Sequence, residues 1–311
     1  MNGPYNLPEA RTILVTGATG QVGGELLRSL TPLGWVTAPS RTRMDLARFG
    51  SISETIRALK PRWIINPAAY TAVDKAESEP ELAYRINHDA LTVLGAEAKR
   101  IGAVVVHFST DYVFRGDGER PWVETDPTAP LNVYGASKLA GEQALAASGA
   151  AHLIFRTSWV YGATGKNFLR TILKLARERE TLRVVSDQHG APTWSRDLAE
   201  MTASAILHCE AQATLGNRSL VEAVAELNGV YHASAAGGTT WHGFASEAVR
   251  LMHEREPATR FATIEPIATA DYPTPARRPA NSRLNCDRIA STFGCRMPGW
   301  QDSLRAVLGE L

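Results

Sequence analysis

Ile13-Leu14-Val15-Thr16-Gly17-Ala18-Thr19-Gly20-Gln21-Val22-Gly23 decides the fold. A short apolar run ends at Gly17, and Val22, Leu26 and Leu30 then recur at helical spacing. The stretch therefore reads as strand, tight turn and helix. Gly17, Gly20 and Gly23 are spaced GxxGxxG, with Gln21 and Val22 between them. Glycines there permit a sharp turn and let a pyrophosphate approach the backbone. The unpaired N–H groups and the dipole at the helix N-terminus favour such an anion. A plain glycine-rich turn is the alternative, and the strand and helix on either side argue against it.

Working outward, Trp35-Val36-Thr37-Ala38 reads as the second strand, followed by Pro39-Ser40-Arg41-Thr42-Arg43. An NAD site offers a carboxylate there to bind the adenosine ribose. Here a hydroxyl and two guanidinium groups stand instead, which suit a 2′-phosphate because Arg binds phosphate bidentately. Ser40 and Arg41 are the candidates, and NADPH is the expected cofactor, with NADH the alternative. Asp45 and Leu46 are candidates for the adenine, or Asp45 for a helix cap.

Further on, Ser51-Ile52-Ser53-Glu54 reads as a capping box opening a helix that Pro61 ends. Trp63-Ile64-Ile65-Asn66 is a third strand, and Glu81 to Arg100 a long amphipathic helix. Ala103-Val104-Val105-Val106-His107-Phe108 is a continuous apolar strand, as expected where helices cover both sheet faces. His152-Leu153-Ile154-Phe155, a helix over Phe168 to Arg179, and Leu182-Arg183-Val184-Val185 continue the alternation. The expected fold is α/β, a doubly wound parallel sheet with a second, smaller lobe. The expected division is a flexible N-terminal arm over 1–10 and a nucleotide-binding domain over 11–162. Residues 163–311 would form mainly a substrate lobe, with some segments returning to the sheet.

Composition narrows the function. Across 311 residues the net charge is +1, and the scattered Lys and Arg argue against a nucleic-acid surface. Three cysteines and eight histidines show no metal-ligand spacing, so no metal site is read from the residues. No apolar run is long enough to span a bilayer, and no signal-peptide core follows Met1. The expectation is a cytoplasmic protein with no membrane partner.

Tyr134 and Lys138 stand in Asn132-Val133-Tyr134-Gly135-Ala136-Ser137-Lys138-Leu139. Four residues apart on a helix, they share a face about 6 Å apart along the axis. A nearby ammonium favours the phenolate, so Lys138 is expected to lower the Tyr134 pKa from its usual value near 10.

With the glycine turn and the Tyr134/Lys138 pair in place, the chain resembles the extended short-chain dehydrogenase/reductases, which have a Rossmann-type sheet. Five segments sharpen the resemblance to the dTDP-4-dehydrorhamnose reductase family. They are residues 66–77 (Asn-Pro-Ala-Ala-Tyr-Thr-Ala-Val-Asp-Lys-Ala-Glu), 109–114 (Ser-Thr-Asp-Tyr-Val-Phe), 156–162 (Arg-Thr-Ser-Trp-Val-Tyr-Gly), 187–193 (Asp-Gln-His-Gly-Ala-Pro-Thr) and 272–279 (Tyr-Pro-Thr-Pro-Ala-Arg-Arg-Pro). The similarity runs from about Thr12 to the C-terminus. It implies hydride transfer from NADPH to the C4 ketone of a nucleotide sugar, dTDP-4-dehydro-β-L-rhamnose. Thr110, Tyr134 and Lys138 would be catalytic; Ala68 and Ala69 would line the cofactor, which Tyr134 and Lys138 would also contact, Lys138 holding the nicotinamide ribose hydroxyls. Thr71, Val73, Asp111, Tyr112 and Trp159 would line the sugar pocket. Lys166, Arg277 and Arg278 are candidates for the diphosphate.

The resemblance also implies a possible homodimer, in some members bridged by magnesium through carboxylates. Glu25 and Glu310 match two of those positions, but Arg196 occupies the third, and a guanidinium repels a cation. Pairing of Arg196 with the two glutamates is expected in place of the metal, with a shifted site at Asp197 left open. Three rivals share the fold: a 4,6-dehydratase, a 4-epimerase, and a regulatory subunit like that of methionine adenosyltransferase. The dehydratases carry an Asp-Glu pair after the threonine, whereas Asp111 is followed here by Tyr112.

Overall fold

The computed structural model describes residues 12–311, so the arm expected over 1–10 lies outside the described residues. Five strands form in the order in which the sequence presents them: β1 (Thr12–Val15), β2 (Trp35–Thr37), β3 (Trp63–Asn66), β4 (Val104–Thr110) and β5 (His152–Thr157). A sixth, Gly229–His232, joins late in the chain. Their spatial order is β2-β1-β3-β4-β5 and then Gly229–His232, every pair parallel. Parallel strands need crossovers, and the helices that supply them cover both faces.

Alternation along each strand assigns side chains to those faces. Ile13, Val15, Ile65, Val106 and Phe155 face one way, packing on helix α1 (Gln21–Leu30) and the helix Ser195–Leu215 through Leu26, Leu30 and Leu198. Leu14, Ile64, Val105 and Ile154 face the other way, against Ile52, Ile56, Leu91, Leu94 and Leu145. The smaller lobe has its own apolar cluster, where Leu169, Phe244, Trp300 and Leu304 meet from three helices. There Thr181–Val185, read in sequence as a continuation of the strand–helix alternation, pairs instead with Thr263–Ile267 outside the large sheet.

Two local readings are corrected. The helix around Ile52 spans Phe49–Leu59 and carries no side-chain cap, because the Ser51 hydroxyl bonds the carbonyls of Asp45 and Arg48. Its end falls at Lys60, which takes the left-handed conformation (φ 42°) just before Pro61. The long helix expected over 81–100 is interrupted. Pro80–Tyr84 and Ala90–Ile101 are joined by a π-helical turn at Arg85–Asp89, which carries the buried Asn87. A π-turn widens the helix by one residue and often marks a functional position.

Candidate active site

The strand order reverses between β1 and β3. In an open α/β sheet the crevice beyond the carboxyl ends at such a switch point is where ligands bind. Gly17, with φ +57°, lies at the end of β1, and a Cβ on it would sit 2.9 Å from that of Ala68 beyond β3. A Cβ on Gly23 would lie 2.7 Å from the Gly17 carbonyl carbon, so only glycine lets α1 approach the turn this closely. Gly20 N–H donates to Gly17 O at 2.9 Å and is the N-cap of α1, with no side chain capping the helix. The first-turn N–H groups around Gln21 and Val22 are thus left for an anion. This cradle fits a dinucleotide pyrophosphate.

Around it the remaining cofactor candidates are spread out. Ser40 and Arg41 stand in the exposed loop after β2, where Ser40 Oγ bonds Thr42 Oγ1 at 2.7 Å. Arg41 lies 3.5 Å from Asp45, whose carboxylate also accepts Ala47 N–H, so Asp45 organises the loop. The Leu46 side chain is buried in the apolar cluster with Met44 and Ile52. Beyond β3, Ala68 N–H donates to Thr16 Oγ1, and Ala69 follows. Next to it, Asn87 of the π-turn holds Tyr70 by both backbone groups and donates to Ser137 Oγ.

Ser137 lies on the helix Val133–Ala147, capped where Asn132 Oδ1 accepts Gly135 N–H at 2.8 Å. Tyr134 and Lys138 project from its first turns, as the spacing requires. Thr110 ends β4 beside Tyr134, its hydroxyl accepting Tyr112 N–H and donating to Asp111. The rings of Tyr112 and Tyr134 meet edge-on, centroids 5.7 Å apart. The sheet edge thus gathers Thr110, Asp111, Tyr112, Tyr134 and Lys138 in one place.

The electrostatics differ from the expectation. Burial pushes the Tyr134 phenol up to about 12, with the Thr110 hydroxyl pulling the other way. Burial pushes the Lys138 amine down to about 7. Lys138 Nζ is turned onto the Phe108 carbonyl at 2.6 Å and His107 Nε2 at 3.0 Å. Without a charged amine aimed at it, the phenol is left with the penalty of a desolvated phenolate. Asp111 is raised to about 7, again by burial, with the Ser282 and Thr110 hydroxyls pulling the other way.

Of the sugar-pocket candidates, Thr71 is exposed and Val73 begins the short helix Val73–Ala76. Trp159 is half-buried with φ 48°, a backbone conformation costly for a bulky residue. Its indole stacks on Trp241, centroids 3.6 Å apart and 13° from parallel. Lys166 and Arg277 are exposed, whereas Arg278 is committed to Asp74 through two 2.7 Å bonds. Arg196 reaches Glu25 at 3.0 Å, pairs with both Glu310 oxygens, and lies 4.5 Å above the Trp194 ring. The guanidinium therefore sits between the two carboxylates, as expected, and no group of residues able to hold a metal ion occurs among the described residues.

Residues 11–311 match the model of the family described as RmlD substrate binding domain. The chain belongs to this family. A relative from Burkholderia thailandensis named dTDP-4-dehydrorhamnose reductase is 48% identical over 301 residues, covering 96% of this chain and 98% of that one. A structure of a dTDP-4-dehydrorhamnose reductase from Clostridium acetobutylicum superposes with a TM-score of 0.84 at 33% identity, covering 96% and 98%. One from Bacillus anthracis, in complex with NADP, gives 0.83 at 32%, covering 97% and 99%.

Within this RmlD-family chain, several residues that shape the site were not among the site candidates read from the sequence. Trp241 backs Trp159, and Asn167 Nδ2 donates to Gln21 Oε1 at 2.9 Å, tying α1 to the smaller lobe. Asn66 and His107 are fully buried inside strands. Both were visible as polar residues in otherwise apolar runs, an anomaly that marks a required hydrogen-bond partner.

Proposed function

We propose that this protein reduces the C4 ketone of dTDP-4-dehydro-β-L-rhamnose with NADPH, giving dTDP-L-rhamnose. The observation that carries the reading is the near-full-length match to reductases of that name, together with Thr110, Tyr134 and Lys138 gathered at the carboxyl edge of the sheet. Bound at the glycine cradle, NADPH supplies the hydride. Thr110 orients the carbonyl through its hydroxyl, and the Tyr134 O–H donates its proton to the oxygen as negative charge develops there. A phenol held as the neutral acid at physiological pH is in the protonation state this step needs. Lys138, one turn on from Tyr134, is proposed to hold the nicotinamide ribose hydroxyls. Asp111, Tyr112, Thr71, Val73 and Trp159 are proposed to hold the sugar, with the Trp159 indole fixed by its stack on Trp241.

Arg41 and Ser40 favour NADPH over NADH, since their exposed donors suit a 2′-phosphate. The dehydratase alternative loses ground at Tyr112, which stands where a dehydratase needs a second carboxylate, and the epimerase alternative because residues 109–114 follow the reductase pattern throughout. Two further parts of the proposal rest on family resemblance: cytoplasmic residence, which three free cysteines suit, and a homodimer. Sedimentation with and without chelator measures the second, and the Arg196 bridge predicts no change. The decisive test follows NADPH absorbance with freshly prepared dTDP-4-dehydro-β-L-rhamnose. Oxidation that needs Tyr134 supports the reading. Binding of NADPH with no oxidation would redirect it to another keto-sugar, or to a protein partner recovered by pull-down.

A further inference from the structure

Asn167 is the N-cap of the helix Phe168–Glu178, its Oδ1 accepting Arg170 N–H at 3.0 Å. Its Nδ2 donates to the carbonyls of Gly162 and Thr164 at 2.9 and 3.2 Å, and to Gln21 Oε1 at 2.9 Å. A backbone N–H only donates and a backbone carbonyl only accepts, so the Asn167 amide can face one way only. Turned over, it would set its NH2 against an N–H and its oxygen against two carbonyls.

The orientation of Asn167 fixes that of its neighbour. Gln21 has to present its oxygen to Asn167 Nδ2, which leaves its own NH2 as the outer end of the amide. Among the described residues, Gln21 Nε2 has no protein acceptor. Gln21 is the first residue of α1, directly after the glycine turn, so its side chain leaves the helix where the first-turn N–H groups gather. Gly165, with φ +73°, brings the loop before Asn167 against the stem of Gln21, where a Cβ would lie 3.2 Å from Cγ.

We propose that Asn167 is a positioning residue of the cofactor site, setting the Gln21 amide with its NH2 toward the dinucleotide phosphates. The proposal rests on the reading of the glycine turn as the NADPH cradle. An NH2 there adds a donor to anionic oxygens, whereas a reversed amide would bring a carbonyl oxygen against them. Asn167 stands outside the strand–turn–helix that forms the cradle. The next residue, Phe168, lies 4.6 Å from Trp241 between ring centroids, and Trp241 backs Trp159. One step of chain thus joins the cofactor turn to the wall proposed for the sugar.

The test is NADPH fluorescence titration of Asn167→Ser, Asn167→Asp and Gln21→Met, with each Asn167 change made in the Gln21→Met background as well. Ser and Asp cap helices as well as Asn does, so both variants should keep the urea midpoint of the wild type. Neither can replace the donation to Gln21, since Ser is too short and a carboxylate only accepts. In Asn167→Ser the Gln21 amide is free to turn, and NADPH binding should weaken about 2- to 12-fold, the worth of one ordinary hydrogen bond. In Asn167→Asp the carboxylate draws the NH2 inward and turns the oxygen toward the phosphates, and the loss should reach about 10- to 150-fold. In the Gln21→Met background neither change should weaken binding further, because no amide is left to turn. Equal losses in both backgrounds, or unchanged affinity in Asn167→Asp, overturn the positioning role. If the Asn167 variants do not fold, the wild-type Gln21 NH2 resonance, identified by its loss in Gln21→Met, decides: it should move when NADPH binds, and an unmoved one overturns the proposal. A wild-type chain that binds no NADPH overturns the cradle reading and this proposal with it, whereas binding that no variant alters overturns the proposal alone.

Discussion

Gly23 and Gly24 are neighbours in α1, and alanine should have opposite effects at the two positions. A Cβ on Gly23 would lie 2.7 Å from the Gly17 carbonyl carbon and 3.0 Å from Ala18 Cα, all backbone. Carbon atoms rest comfortably at about 3.5–4.0 Å, so the first turn of α1 has to retreat by about 1 Å. Overpacking of this kind costs about 1–3 kcal/mol of stability. The same retreat draws the first-turn N–H groups away from an anion in the cradle. Losing one charge-assisted hydrogen bond is worth about 1.5–3 kcal/mol, which weakens NADPH binding about 10- to 150-fold. At Gly24, by contrast, the nearest atom is Ala18 O at 3.5 Å and the site is exposed. Alanine there gains about 1 kcal/mol of helix propensity and leaves the cradle alone. NADPH fluorescence titration and urea unfolding of both variants read the two effects. Unchanged NADPH affinity in Gly23→Ala would refute the assignment of this turn as the pyrophosphate site.

Four further outcomes follow from the same geometry. Tyr134→Phe should lower turnover by about 10²- to 10⁴-fold with NADPH affinity intact; near-normal turnover would remove Tyr134 from the mechanism. Arg41→Ala should raise KM for NADPH while leaving NADH kinetics unchanged, and a parallel loss for both would detach Arg41 from the 2′-phosphate. Glu142→Gln strips Arg156 of its buried partner and should cost about 3–5 kcal/mol in urea unfolding; a cost under about 1 kcal/mol would show that water has relieved the guanidinium. Lys138 falls from 10.5 to about 7 on folding, so between those values the unfolded chain holds one more proton and stability rises with pH. Lys138→Met should therefore gain most over the wild type at or below pH 7, with the gap closing toward pH 10. A gap independent of pH contradicts the burial of an ionisable amine there.

The framework was legible because it is periodic and local. Strand–turn–helix at residues 13–23, the apolar run of β4 and the four-residue step from Tyr134 to Lys138 each state their geometry within a dozen residues. Pairings between distant segments were not. Thr181–Val185 has the pattern of a sheet strand, yet its place was taken by Gly229–His232, and only the fold of the intervening chain decides between them. Ser51 illustrates the limit of a local motif. A hydroxyl three residues before a carboxylate matches a capping box, but the helix had already begun and the hydroxyl bonded backward.

The site shows the same division at higher energetic stakes. Spacing placed Tyr134 beside Lys138, and from spacing alone the ammonium should acidify the phenol. That inference assumed a charged lysine, and charge is set by what surrounds the amine. Lys138 is 1% exposed, so burial favours the neutral form. The sequence signal for this was His107 among three valines and a phenylalanine. A buried strand admits a polar side chain only where a partner satisfies it, because an unpaired one costs several kcal/mol. His107 and Asn66 occupy facing register positions on adjacent parallel strands, and the helix bearing Lys138 crosses above them. A polar residue inside an apolar strand therefore points to another residue that must meet it, and here following that requirement leads from the glycine turn to the helix bearing Tyr134 and Lys138.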